Sequence, residues 1–309
     1  MIEPSLNYVS CPDAAAGHRM AYWQWGQPDA EHVVLCVHGL TRQGRDFDVL
    51  ARALCEQAAQ LVDRPGGIRV ICPDVVGRGA SDWLKDPMGY QIPAYAADMV
   101  VLLAQLHARS PVVTLDWVGT SMGGLIGLLV CGQPDLPLPV PVRRLVLNDV
   151  GPALQWQAIV RIGAYLGQAG HFSTVQAAAD AMWVISKSFG PHTPEQWLAL
   201  SRPMLKPVSA ATDSPLRLHY DPAIAVPFQL TTEISTQQDE VALWGLYDTI
   251  RTQTLLTRGA LSDLLSPETA HAMTKRGPHA RLVEFEGVGH APTLIAKDQV
   301  EVVTRFLLD

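Results

Sequence analysis

Val112-Val113-Thr114-Leu115-Asp116-Trp117-Val118-Gly119-Thr120-Ser121-Met122-Gly123-Gly124 decides how this chain is read. An apolar run ends in G-x-S-x-G, and Leu125-Ile126-Gly127-Leu128-Leu129-Val130 follows with helical character. Strand, sharp turn, helix is the context in which a serine is lifted above a sheet as a nucleophile. The turn needs strained backbone angles, and a side chain on either flank would clash where strand and helix pass closely. The backbone N–H of Met122 opens the helix and can face a developing oxyanion. A phosphate-binding loop is the other glycine-rich possibility, but G-x-x-x-x-G-K-[ST] is absent.

Upstream, Val33-Val34-Leu35-Cys36-Val37 ends in His38-Gly39-Leu40-Thr41-Arg42. A strand ending in His-Gly suits the second oxyanion donor, and that role is expected of the Leu40 N–H. His38 reads as structural. Arg42 is a candidate for a substrate carboxylate and equally for a solvated surface.

A serine hydroxyl needs an adjacent base to become a nucleophile. Of ten histidines, His290 stands in Gly287-Val288-Gly289-His290-Ala291-Pro292, after the last strand pattern and before the terminal helix. It is expected to be that base. The acid should come from a strand end between serine and histidine. Thr254-Leu255-Leu256-Thr257-Arg258-Gly259 leads to Ser262-Asp263, and Asp263 is the expected orienting acid. Asp149, in Leu147-Asn148-Asp149-Val150-Gly151-Pro152, is the alternative, with a turn or cap residue as its plain reading.

Further strand patterns lie at 21–25, 33–37, 69–72, 145–147, 255–258 and 281–285, and helical patterns at 47–61, 95–108, 122–130, 267–275 and 299–308. Their alternation predicts a parallel α/β sheet covered on both faces. It breaks between residues 151 and 250, where helical patterns at 154–167, 175–188, 195–200 and 240–250 have Pro-rich joints and no clear buried strand. An insertion there, between core segments 1–150 and 251–309, would form a mainly helical cap. It holds Trp156, Trp183, Trp197 and Trp244 of the chain's eight tryptophans. Trp156 and Trp183 are candidates for an apolar substrate pocket; filling the cap's own core is the alternative.

Composition narrows the function classes. The 309 residues are 48% hydrophobic and 17% charged, with net charge −7. That balance predicts a packed globular protein. No basic run exceeds Arg143-Arg144, so a nucleic-acid partner is not expected. Met1-Ile2-Glu3-Pro4 lacks the basic and apolar regions of a secretory leader, and Leu125 to Cys131 is far short of the roughly 20 apolar residues of a membrane span. Cys11, Cys36, Cys55, Cys72 and Cys131 show no metal-ligand spacing, and Cys36 and Cys72 sit in apolar runs. A reducing, cytoplasmic setting is expected, with neither metal nor organic cofactor.

Taken together, His38-Gly39, Asp74-Val75-Val76-Gly77-Arg78-Gly79-Ala80-Ser81, Gly119 to Gly123, Arg258-Gly259 through Ser262-Asp263, and Gly287 to Pro292 resemble the α/β-hydrolase superfamily, in the family's order and over the whole chain. The likeness is to its cap-bearing carboxylesterase, lactonase and C–C hydrolase members. It implies a mostly parallel eight-stranded sheet with helices on both faces and a helical cap after the sixth strand. Serine at the elbow argues against dehalogenase or epoxide hydrolase chemistry, which uses aspartate there. The Asp74-x-x-Gly-Arg-Gly loop reads as packing, with Arg78 structural. The implied activity is cleavage of a small, largely apolar carboxylic ester through an acyl-enzyme on Ser121. A lactonase, a C–C hydrolase with Arg42 and Arg45 as its carboxylate-binding pair, and a small-molecule receptor that kept the fold are the alternatives.

Overall fold

The computed structural model describes residues 3–13, 17–61, 66–168 and 170–309. Met1 and Ile2, half of the stretch read for a leader, lie outside them. Among the described residues eleven strands run β1 Ser5–Cys11, β2 His18–Gly26, β3 His32–Val37, β4 Arg69–Pro73, β5 Thr114–Thr120, β6 Val142–Asn148, β7 His171–Phe172, β8 Leu205–Pro207, β9 Leu216–Leu218, β10 Gln253–Gly259 and β11 Arg281–Phe285. Eight of them form one sheet in the order β1-β2-β4-β3-β5-β6-β10-β11. Only β1–β2 and β2–β4 pair antiparallel within it.

Every residue of β3 and β4 is buried, as their unbroken apolar runs require when both faces are covered. The helices are α1 Asp48–Ala58, α2 Ile92–Arg109, α3 Met122–Gly132, α4 Trp156–Tyr165, α5 Val175–Ser186, α6 Pro194–Ser201, α7 Ala225–Gln229, α8 Glu233–Thr249, α9 Pro267–Met273 and α10 Lys297–Leu308. On one face α2, α3 and α8 enclose Leu35, Ile71, Trp117, Leu128 and Leu147; on the other α1 and α10 enclose Val34, Cys36, Val70, Val118 and Leu255. Alternation in β3 thus feeds two cores from one strand.

Between β6 and β10 the chain builds the cap. It contains three short strands that the sequence pattern did not announce, in the order β7-β9-β8, all antiparallel. Each has two or three residues, too few to show a period. Near the end of the insertion, α8 packs along α3 and lays Trp244 and Tyr247 against the main core. The cap is stitched to the core loop after β4: Gly79 N–H donates to His219 O (2.8 Å) and Asp221 N–H to Gly77 O (2.8 Å). Arg78, fully buried, donates to Leu40 O, Val76 O and Tyr95 OH, the packing role expected of it. Among the described residues no helix is long and apolar enough to cross a membrane.

Candidate active site

Strand β5 stops at Thr120, α3 starts at Met122, and Ser121 between them holds φ 51° and ψ −115°. For a residue with a side chain this left-handed φ costs roughly 1–3 kcal/mol, so the surroundings must enforce it. A Cβ on Gly119 would strike Gly123 O, and one on Gly123 would strike Val37 O. The helix can approach the sheet only because both positions lack one. Ser121 N–H donates to Asn148 O at 3.0 Å, tying the elbow to the end of β6.

Ser121 Oγ lies 2.9 Å from His290 Nε2. The other ring nitrogen, Nδ1, lies 2.7 Å from Asp149 Oδ2. A carboxylate oxygen accepts, so Nδ1 carries the proton and Nε2 is left with a lone pair toward the serine hydroxyl. Asp149 is fully buried, at φ 56°. Its other contacts are also donors: Gly259 N–H at 2.9 Å and Ser262 Oγ at 2.7 Å. The imidazole is held by its backbone as well, since Ser188 Oγ of the cap donates to His290 O (2.9 Å) and Gly289 N–H donates to Ser188 O (2.6 Å).

The expectation for Asp263 is corrected here. Its carboxylate turns away and forms a bidentate pair with Arg161, at 2.6 and 2.9 Å, where both side chains are more than a third exposed. Asp149, the alternative, meets the histidine. The turn after β10 does reach the site, but through Ser262, one residue earlier. Asn148 completes the frame, donating to Thr120 Oγ1 (3.0 Å) and Pro292 O (2.8 Å) and accepting from Thr257 Oγ1 (2.8 Å). Neither Asn148, Ser188 nor Ser262 was singled out from the sequence. Ser262 stood beside the expected acid, whereas nothing around Ser188 marks it.

The loop carrying Leu40 passes close to the nucleophile: a Cβ on Gly39 would sit 3.7 Å from Ser121 Cβ. His38 fixes that loop. Its Nδ1 donates to Gly39 O (2.7 Å) and its Nε2 accepts from Val75 N–H (2.9 Å). Full burial first, then the nearby Arg78 and Arg42 charges, push its pKa down to about 3 against the opposing hydrogen bond to Gly39. Leu40 and Met122 both line a cavity with Ser121. As the first residue of α3, Met122 has an N–H with no acceptor inside the helix.

Two cavities meet at Ser121. One, of about 210 Å³, is walled by Leu40, Ile92, Met122, Leu125, Ile159 and Phe228. The second, of about 310 Å³, adds His290 and polar groups from Arg42, Arg161, Tyr165, Gln168 and Ser186. Arg42 is spoken for by Asp46, with two contacts of 2.6 Å, and also reaches Leu200 O (3.3 Å). Arg45 is paired with Asp48 and lies over the Trp23 ring. The arginine pair expected of a C–C hydrolase is therefore not free for a substrate carboxylate. The two expected pocket tryptophans line neither cavity. Trp183 packs edge-on against Trp197 and His192, and Trp156 packs beside Ile159, Ile162 and Leu264. Their rings fill the cap's cores, and the aromatic lining comes instead from phenylalanines and tyrosines such as Phe228, Tyr95 and Phe172.

One group among the described residues has ligand atoms close enough for a metal: Cys11, His18 and Asp98. It sits at the β1–β2 edge of the sheet, outside both cavities. His18 Nε2 contacts Asp98 at 3.0 Å and its Nδ1 contacts Asp13 at 3.3 Å.

Comparison with known proteins bears on this geometry. The alpha/beta hydrolase family matches residues 34–304. A 3-hydroxybutyrate-oligomer hydrolase of Cupriavidus necator is 47% identical over 303 residues, covering 98% of this chain and 97% of that protein. The lipase LipV of Mycobacterium tuberculosis is 29% identical over about half of each chain, 50% of this one and 51% of its own. The crystal structure of an alpha/beta hydrolase from Novosphingobium aromaticivorans superimposes with a TM-score of 0.80 at 33% identity, covering 99% of both chains.

Proposed function

The chain belongs to the alpha/beta hydrolase family and is a hydrolase, and from that premise we propose that it cleaves esters of short hydroxy-acid oligomers through an acyl-enzyme on Ser121. The observation that carries the reading is the unbroken relay from Ser121 Oγ to His290 to Asp149, with contacts of 2.9 and 2.7 Å, opening onto a cavity on either side.

In this reading Ser121 Oγ attacks the ester carbonyl carbon as His290 Nε2 takes its proton. The N–H groups of Leu40 and Met122 hold the oxyanion, the roles proposed for them. Collapse of the tetrahedral species breaks the C–O bond, and His290 returns the proton to the leaving alcohol oxygen. Water then loses a proton to His290 and attacks the acyl-enzyme, releasing the acid and restoring Ser121. Asp149 keeps the ring in the productive tautomer and offsets the imidazolium charge.

The leaving oxygen must face His290, so the alcohol part lies in the cavity that His290 lines. Besides Arg161, already paired with Asp263, that lobe carries Tyr165, Gln168 and Ser186, and this polar lining suits the hydroxy-acid end of the alcohol. The acyl part then fills the smaller, largely apolar lobe, whose volume favours a short chain. The relative at 47% identity is named for oligomers of 3-hydroxybutyrate, which have this two-ended chemistry.

The test is to incubate the protein with 3-hydroxybutyrate dimer and trimer, and with p-nitrophenyl butyrate, and to quantify monomer and nitrophenol. Release from all three is expected, reduced by several orders of magnitude in Ser121→Ala. Turnover of the nitrophenyl ester with no monomer from either oligomer would refute the substrate and leave the chemistry standing.

A further inference from the structure

The outer face of the cap sheet gathers positive charge that forms no ion pair among the described residues. Lys206 on β8 and Arg217 on β9 are directly opposite each other in the antiparallel register. Like charges facing across a strand pair are destabilising, so the pairing asks for a compensating group. Among the described residues no carboxylate lies within ion-pair distance of either. Each instead sits over the Trp83 ring, with Lys206 Nζ at 4.6 Å and the Arg217 guanidinium at 5.1 Å from its centroid. Arg217 Nε is buried and has no hydrogen-bond partner.

Strand alternation aims these groups away from the active site. Leu218 lines the cavity that holds His290, while Arg217 and His219, on either side of it, take the opposite face. There they border an open groove of about 310 Å³ with Gly79, Ala80, Ser81 and Trp83 of the core loop. Burial and then the two neighbouring cations push His219 down to about 4, which leaves it a neutral ring able to donate one hydrogen bond. Asp221, the acidic group that Lys206 senses, is occupied by Tyr90 OH (2.6 Å) and Ala223 N–H (2.9 Å).

We propose that this groove is an oxyanion-binding site for a small carboxylate or phosphate compound, held by Lys206 and Arg217 over Trp83. The site lies on the seam where His219 and Asp221 join cap to core, so a bound anion relieves the repulsion across β8–β9 and fastens the cap.

The whole protein is titrated with inorganic phosphate and, separately, with 3-hydroxybutyrate, at constant ionic strength balanced by chloride. Tryptophan fluorescence and Tm are followed. A saturable fluorescence change and a rise in Tm are expected with at least one anion, and the anion that acts identifies carboxylate or phosphate as the source. The response persists after Ser121 is capped by a covalent phosphonate that fills the cavity, which separates it from product binding at the nucleophile. Loss of one charged donor weakens binding by about tenfold or more, in Arg217→Gln and in Lys206→Gln alike. Trp83→Phe abolishes the fluorescence change and keeps the Tm rise. No saturable response to either anion, or an unchanged Kd in whichever charge variant is folded, overturns the proposal.

Discussion

Asp149 receives three donors in a pocket closed to water, and that arrangement leaves its carboxylate one orientation toward His290. Asp149→Asn retains the volume and loses the acceptor that sets the tautomer. A fall in kcat of about 1,000- to 10,000-fold is expected, with KM little changed. Asp263→Asn leaves the relay intact, and a loss of less than about tenfold is expected in the same steady-state assay. The chemistry of the acid was legible before its position. Both aspartates end apolar strands between serine and histidine in the chain, and nothing linear reports that the β10 turn presents Ser262 inward and Asp263 to Arg161.

His38 gives a residue-scale test with a sign. Its folded-state pKa, about 3, lies below the ordinary histidine value of 6.5. As pH falls between those values the unfolded chain takes up a proton that the folded one refuses, so stability is lost on acidification. Buried Asp74, raised to about 6 chiefly by burial, works the other way: the folded state holds its proton longer, and stability falls as pH rises toward 6. A comparison with His38→Gln isolates the histidine. Between pH 4 and 6 the wild type should lose about 1.4 kcal/mol per pH unit more than the variant, measured by urea unfolding. Parallel slopes would remove His38 from the account.

At the scale of elements, the sharpest constraint is the crossing of α3 over the end of β3. A Cβ on Gly123 would press on Val37 O, which is backbone and cannot swing aside. Gly123→Ala should therefore destabilise by about 1–3 kcal/mol or more and lower Tm by several degrees, read by thermal unfolding. An unchanged Tm would mean that the elbow is looser than described. Elements with a strong period or an unbroken apolar run were readable, such as β3, β4 and the elbow itself. The edge strand β1 was not, because four of its seven residues are exposed and its pattern is irregular. The cap's short strands are set by pairing with one another rather than by any run in their own sequences.

For the molecule as a whole, a mostly parallel α/β sheet is legible from alternation and motif order, while the order of its strands and the shape of the cavities are not. Trp183 and Trp197 stand out in the composition yet pack together, and Phe228, which no motif marks, lines the site. Distant segments converge there: the β3 turn, the elbow, the ends of β6 and β10, and the cap's Ser188 against His290 O. The proposed chemistry requires Ser121 to be the one hydroxyl that this convergence activates. The direct measurement is to react the folded protein with a fluorophosphonate and locate the adduct by peptide mass spectrometry. One adduct per chain on Ser121 is predicted, lost in Ser121→Ala and strongly slowed in His290→Ala. Labelling at another residue, or undiminished labelling of Ser121→Ala, would contradict it.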